Sequence, residues 1–174
     1  MSLSKQICRC GTAQSARNAA FTIIEIMVTV SVLSICMAVV VPRLTSTKRQ
    51  AIATTVGNDL MKFAAAFDVY AQERGQFPAE TEAGVFPPEM AERINSQAWT
   101  RMTPMGGQYN WDNNQTHYGT RYRAIIQISA TAAAPLPEDV EIWEALDRTI
   151  DDGNLSTGHF RLGAGNEPIY IIAQ

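Results

Sequence analysis

The feature that most constrains this chain is a run of 21 residues, Phe21 to Val41. It is apolar apart from Glu25 and a few hydroxyls, and Pro42 closes it. About 20 helical residues reach about 30 Å, so the run is long enough to cross a hydrocarbon core. A carboxylate placed inside such a core costs about 2.5–3.5 kcal/mol on insertion scales. Glu25 therefore needs a partner, and the nature of that partner is a functional question. An ordinary secretory signal has an apolar region of about 7–15 residues followed by a small-residue cleavage site. This run is longer, contains Glu25, and ends in Val39-Val40-Val41-Pro42. Leu33-Ser34-Ile35-Cys36 has the order of a lipoprotein signal, but Ile35 stands where a small residue is wanted. Cys36 reads instead as a helix-packing residue in a patch with Ser31, Ser34 and Ala38.

Charge is unevenly distributed. Residues 1–20 carry Lys5, Arg9 and Arg17 and no acid. Residues 43–174 hold 11 bases and 16 acids, a net charge of −5. An acidic domain is a poor general binder of nucleic-acid backbone, so no nucleic-acid partner is expected. Bases flank the apolar run on both sides, with Arg43, Lys48 and Arg49 following it; the free amino terminus tips the count toward a cytoplasmic N-terminus. Cys8, Cys10 and Cys36 all precede the soluble part, so no disulfide staples it, and Cys8-Arg9-Cys10 lacks the second pair of a zinc site.

The organisation reads as four segments: a basic leader over 1–20, a transmembrane helix over 21–42, an amphipathic extension of the same helix over 43–75, and a small globular domain over 76–174. In the extension, Ile52, Val56, Leu60, Phe63, Phe67 and Tyr70 recur at steps of three and four, which is one stripe of a helix. Gly75 is a natural stop. Pro42 removes one backbone bond without having to end the helix. Residues 76–107 are rich in Pro and Gly and read as loop with one short helix near Pro88–Ile94. Gln108–Asp112 and Arg121–Ser129 read as strands around a loop. Leu136–Ile150 reads as a second helix with Val140, Trp143, Leu146 and Ile150 on its buried face. Gly158–Leu162 and Pro168–Ala173 read as a closing hairpin. The expected fold is α+β: a long N-terminal helix, membrane-spanning in its first half and amphipathic in its second, packed on a small antiparallel sheet with a second helix.

Ala20-Phe21-Thr22-Ile23-Ile24-Glu25, with a basic leader before it and Pro42 closing the helix, resembles the N-terminal signal of type IV pilins and type II secretion pseudopilins. Gln76-Phe77-Pro78 is similar to the segment that follows the long helix in major pseudopilins. The resemblance implies cleavage by prepilin peptidase between Ala20 and Phe21, and N-methylation of Phe21. It implies that Glu25 neutralises the new α-amino group of a neighbouring subunit, and that Glu25 and Pro42 serve subunit assembly. The family usually has Gly where this chain has Ala20. The implied partners are other copies of the chain, related pilin-like subunits, the peptidase, an assembly platform and motor, and the inner membrane. The implied location is a single pass in the inner membrane with the C-terminal domain outside the cytoplasm, then a filament.

The remaining residues carry little chemistry. His117 reads as a loop residue and His159 as a strand residue, neither in metal-ligand spacing, and no nucleophile elbow or phosphate loop is present. The chain is therefore expected to be structural rather than enzymatic, with no cofactor beyond a possible calcium ion. Major pseudopilins hold calcium in their late loops, and Asp151, Asp152 and Asn154 offer oxygen ligands of the kind a hard cation takes. The plainer alternative is a helix end and turn, since the spacing lacks the pattern and terminal Glu of a twelve-residue calcium loop. Trp99, Trp111 and Trp143 are expected in the core. Met102–Gly107 is expected to be an exposed turn. A type II secretion pseudopilin is the first expectation. A type IV pilus subunit for adhesion or DNA uptake is the alternative within the class, and a membrane-anchored ligand-binding module the alternative outside it.

Overall fold

The computed structural model describes residues 22–174. The leader over 1–20 and the Ala20–Phe21 bond lie outside the described residues. The chain divides into two compact units, with the boundary between Val41 and Pro42.

Helix α1, Ile23–Arg74, contains Pro42. In the first unit every described residue is exposed. The helix is long and apolar enough to cross a membrane by length and composition, and none of its apolar stretch is buried. Its hydroxyls turn back onto the helix: Thr29 donates to the Ile26 carbonyl, Ser31 to Met27 and Ser34 to Val30, at 2.7–2.9 Å. Such bonds let a polar side chain sit in apolar surroundings without an unmade donor.

The second unit is a four-stranded antiparallel sheet covered on one face by the later part of α1. The strands are β1 (Gln108–His117), β2 (Thr120–Ser129), β3 (Phe160–Leu162) and β4 (Pro168–Ala173), in the spatial order β1-β2-β4-β3. Two shorter helices complete it, α2 (Ser96–Thr100) and α3 (Val140–Ile150). The expected stripe of α1 supplies Val56, Leu60, Phe63 and Phe67 to the core, with Ala53 and Ala64 beside them. Ile52 and Tyr70, at its two ends, are half-buried. These residues meet Tyr109 and Trp111 of β1, Ile126 and Ile128 of β2, and Trp143 and Leu146 of α3. All three tryptophans are buried, as expected. Phe67 stacks on Trp111 at 3.8 Å between centroids, and Phe63 meets Tyr109 edge-on at 5.0 Å. Such ring pairs add about 0.5–1.5 kcal/mol beyond area burial. Two of the three indoles donate to loop carbonyls, Trp99 Nε1 to that of Val85 and Trp111 Nε1 to that of Pro78.

Several elements differ from the sequence expectation, each for a local reason. β1 runs to His117 rather than stopping at Asp112, because Asn113, Gln115, Thr116 and His117 pair with β2 down to His117↔Thr120, with Asn114 (φ 68°) left out of the pairing. The polar Asn-rich stretch has no period-2 signal, and the partner strand imposes the extension. The turn shrinks to Tyr118-Gly119, both at positive φ (48° and 81°). This is the two-residue hairpin geometry that best matches strand twist. α3 begins at Val140 rather than Leu136, since Asp139 caps it by accepting the Glu141 amide at 3.1 Å. Val140 is therefore exposed, and the buried face is Ile142, Trp143, Ala145, Leu146 and Asp147. The short helix near Pro88 is a single 3-10 turn, Pro88–Met90, and α2 follows it behind an Asn95 cap. β3 begins at Phe160, not Gly158, because Gly158 sits at φ 75° beside the Asp151 carboxylate. Met102–Gly107 is not an exposed turn throughout: Thr103 and Met105 are buried. Gly106 there is at φ 90°, and a Cβ on it would fall 2.3 Å from the Pro135 carbonyl oxygen.

Candidate functional site

The first candidate lies at the start of α1. Thr22 is the residue before the helix. Its backbone carbonyl accepts the Glu25 and Ile26 amides, and its Oγ1 accepts the Glu25 amide at 3.3 Å. Glu25 is thus the third helical residue. Thr-x-x-Glu is the capping-box pattern, with the acid favoured by the positive end of the helix by about 0.3–1 kcal/mol. The sequence carried that signal in Thr22 and Glu25, and the reading of Glu25 as an isolated charge overlooked it. Among the described residues the Glu25 carboxylate has no partner. Cap and charge together place an acid within one turn of whatever precedes Thr22. Pro42, the other assembly residue of the sequence reading, sits inside α1 at the boundary of the two units.

The second candidate is an acidic group at the end of α3. Ligand oxygens of Asp147, Asp151 and Asp152 lie within 4.8 Å of one another. Asp147 is fully buried, and neither carboxylate oxygen makes a well-formed hydrogen bond, the Gly153 amide approaching without closing one. Burial first, then the charges of Asp152 and Asp151, push its pKa up to about 6, opposed by Arg148 and the Gly153 amide. Asp151 Oδ2 accepts the amides of His159 and Phe160, the latter at 2.9 Å. Asp152 accepts the Thr157 hydroxyl at 2.7 Å and the Asn154 amide at 2.9 Å, and these bonds hold its carboxyl below the usual range. Asn154 Oδ1 accepts the Ser156 amide at 3.2 Å. Of the residues named from the sequence, Asp151 and Asp152 lie in this carboxylate group, and the structure adds Asp147 to them. Asp147 was passed over because a carboxylate on a helix reads as solvated. The available signal was its position between Leu146 and Arg148, one turn after Trp143 and one turn before Asp151. Three carboxylates, one of them buried without a donor, suit a hard divalent cation.

The histidines have other settings. His117 is buried at the end of β1, not in a loop, and its Nδ1 accepts the Ala164 amide at 3.2 Å. Burial lowers its pKa, and Glu167 opposes the shift. His159 lies just before β3 rather than within it, with Nδ1 3.0 Å from the Ile171 carbonyl oxygen.

The family model described as the prokaryotic N-terminal methylation motif matches residues 15–41. The type II secretion system core protein G of Pseudomonas aeruginosa is 39% identical over 72 residues, covering 41% of this chain and 50% of that protein. The protein of the same name from Klebsiella pneumoniae is 31% identical over 109 residues, covering 63% of this chain and 75% of that protein. The chain belongs to the type II secretion core protein G family of pseudopilins. No solved structure matches it.

Within this pseudopilin the matched motif includes the Thr22–Glu25 cap and the apolar helix up to Val41, and Pro42 lies one residue beyond it. The chain spans half the length of the Pseudomonas relative and three quarters of the Klebsiella one.

Proposed function

We propose that this pseudopilin is a structural subunit, not an enzyme, made as a precursor and assembled through its N-terminal helix. Prepilin peptidase cuts between Ala20 and Phe21 on the cytoplasmic side and methylates Phe21. The apolar helix holds the subunit in the inner membrane with the globular unit outside the cytoplasm. An assembly platform and motor then move it into a filament with its own copies and related pilin-like subunits. The carrying observation is Glu25, a carboxylate without a described partner in the first turn of a helix whose N-terminal apolar stretch is entirely exposed. A desolvated carboxylate gains most from an adjacent fixed cation, and the new α-amino group of a neighbouring Phe21 supplies one.

Expression with and without the peptidase tests the reading. Cleavage gives a mobility shift of roughly 2 kDa, the share of 20 residues in a 174-residue chain of 19.1 kDa; an unchanged N-terminus ends it. Glu25→Ala is expected to leave the globular unit folded and membrane-bound while blocking incorporation into filaments; normal assembly would remove the role of Glu25.

A second reading rests on Asp147. Its orphaned, buried carboxylate favours calcium held by Asp147, Asp151 and Asp152, where the ion would tie the end of α3 to the loop before β3. An ion that binds only the folded state raises the melting temperature with concentration. A melting temperature unmoved by chelator and by added calcium would dismiss the site.

A further inference from the structure

We infer that the tip of the β1–β2 hairpin, Tyr118, docks into the groove beside α3 of a second copy of this chain. The inference rests on the filament reading above and adds a contact between globular units. Tyr118 is 73% exposed, the most exposed large apolar side chain of its unit. It stands at φ 48°, a left-handed conformation that Gly or Asn adopts at little cost and a bulky residue adopts with strain. A ring held there, free of its own chain's core, has the character of an anchor, and Tyr is among the residues that dominate interface energetics.

The receiving surface is a cavity of about 610 Å³ lined by Pro135, Leu136, Val140, Trp143 and Leu162 with Glu138 at its rim. It is the largest of the cavities described, and Val140, displaced from the core by the late start of α3, is half-exposed on it. Tyr118 of the same chain does not line it. Charge selects the pairing. The stretch 113–137 contains Arg121 and Arg123 and no acid. Both arginines are exposed, and among the described residues no ion pair engages either. The groove offers Glu138, which likewise forms no ion pair among the described residues. A knob on one surface and a hole on another make a heterologous contact, which propagates into a helical array unless the rotation closes. That is the geometry a filament requires.

The test uses the full chain with its three native cysteines replaced by serine. One population keeps Tyr118 and carries Thr120→Cys, and another carries Val140→Cys; they are expressed together and treated with a short bifunctional thiol cross-linker. Thr120 is exposed two residues from the ring. The expected product is a mixed dimer from the two populations and a ladder from the double variant, with neither single variant cross-linking to itself. Sheared filaments are sedimented in parallel. Filaments without the 120–140 cross-link overturn this contact, and so does a Thr120→Cys chain that cross-links equally well to itself. Absence of filaments from the unsubstituted chain instead overturns the filament reading. Tyr118→Gly relieves the backbone strain, so its melting temperature should hold or rise while the 120–140 cross-linking falls at least tenfold. Tyr118→Phe should keep the contact, and equal loss in Gly and Phe variants would overturn the role of the ring.

Discussion

The two units of this chain treat the same kind of side chain in opposite ways. Between Ile23 and Val41 the apolar residues of α1 are exposed to the last one, whereas between Ala53 and Phe67 the same helix hides its apolar stripe against a sheet. The first unit is stable as a helix only through its own backbone and the surroundings it is placed in. The second is stable through tertiary packing, which is the usual source of helical stability in water. An apolar stretch left exposed among the described residues is suited to be completed by something else.

Substitutions can break or sharpen this contrast. The largest effect belongs to the core. Phe67→Ala removes the ring stacked on Trp111 and is expected to cost about 3–5 kcal/mol, read by denaturant unfolding of the chain in detergent. A cost below about 1 kcal/mol would mean that the later part of α1 is not what holds the sheet.

The next effect is a pH dependence. The Asp147 carboxyl sits at about 6 when folded, against an ordinary 3.8 for aspartate. Between those pH values the folded protein binds more protons than the unfolded one. Stability therefore falls as pH rises from about 4 to about 6, by roughly 1–3 kcal/mol for this group. Asp112, also pushed up to about 6 by burial and by Glu80, adds in the same direction. Without calcium, Asp147→Asn should flatten the fall; an equally steep fall in the variant would show that the buried carboxylate is not its source.

Smaller still is the α3 cap. Asp139 accepts the Glu141 amide and binds the Arg49 guanidinium at 2.8 Å. Asp139→Ala should cost about 1–2 kcal/mol, most of it from the cap, because the exposed ion pair contributes little. Smallest is Ser34→Ala in the first unit, where less than about 0.5 kcal/mol is expected in the unfolding of the second. A larger loss would show that the two units do not unfold independently.

Much of this was legible in the sequence, and the misses share a cause. The α1 stripe, the three buried tryptophans, β2 and the turn after Arg74 follow from periodicity and from single residues with strong conformational preferences. β1 beyond Asp112 was not legible, because its polar residues join the strand only by pairing with β2 around the left-handed Asn114. Asp147 was missed because burial of a charged side chain is a tertiary fact. Val140 was assigned to the core because the periodicity was extended past the Asp139 cap, and that error uncovered the groove residue. At the start of α1 the sequence held more than was taken from it, since Thr22 and Glu25, which carry the family resemblance, also spell a helix cap.

The back-bonded hydroxyls of Thr29, Ser31 and Ser34 carry one last implication. A segment that leaves one solvent for another usually has to find new acceptors for every donor it exposes. Here those donors are already occupied by carbonyls one turn earlier on the same segment. On the proposed assembly, exchanging acyl chains for neighbouring subunits would alter only dispersion contacts at these positions, and the transfer would run in either direction without stranded polarity.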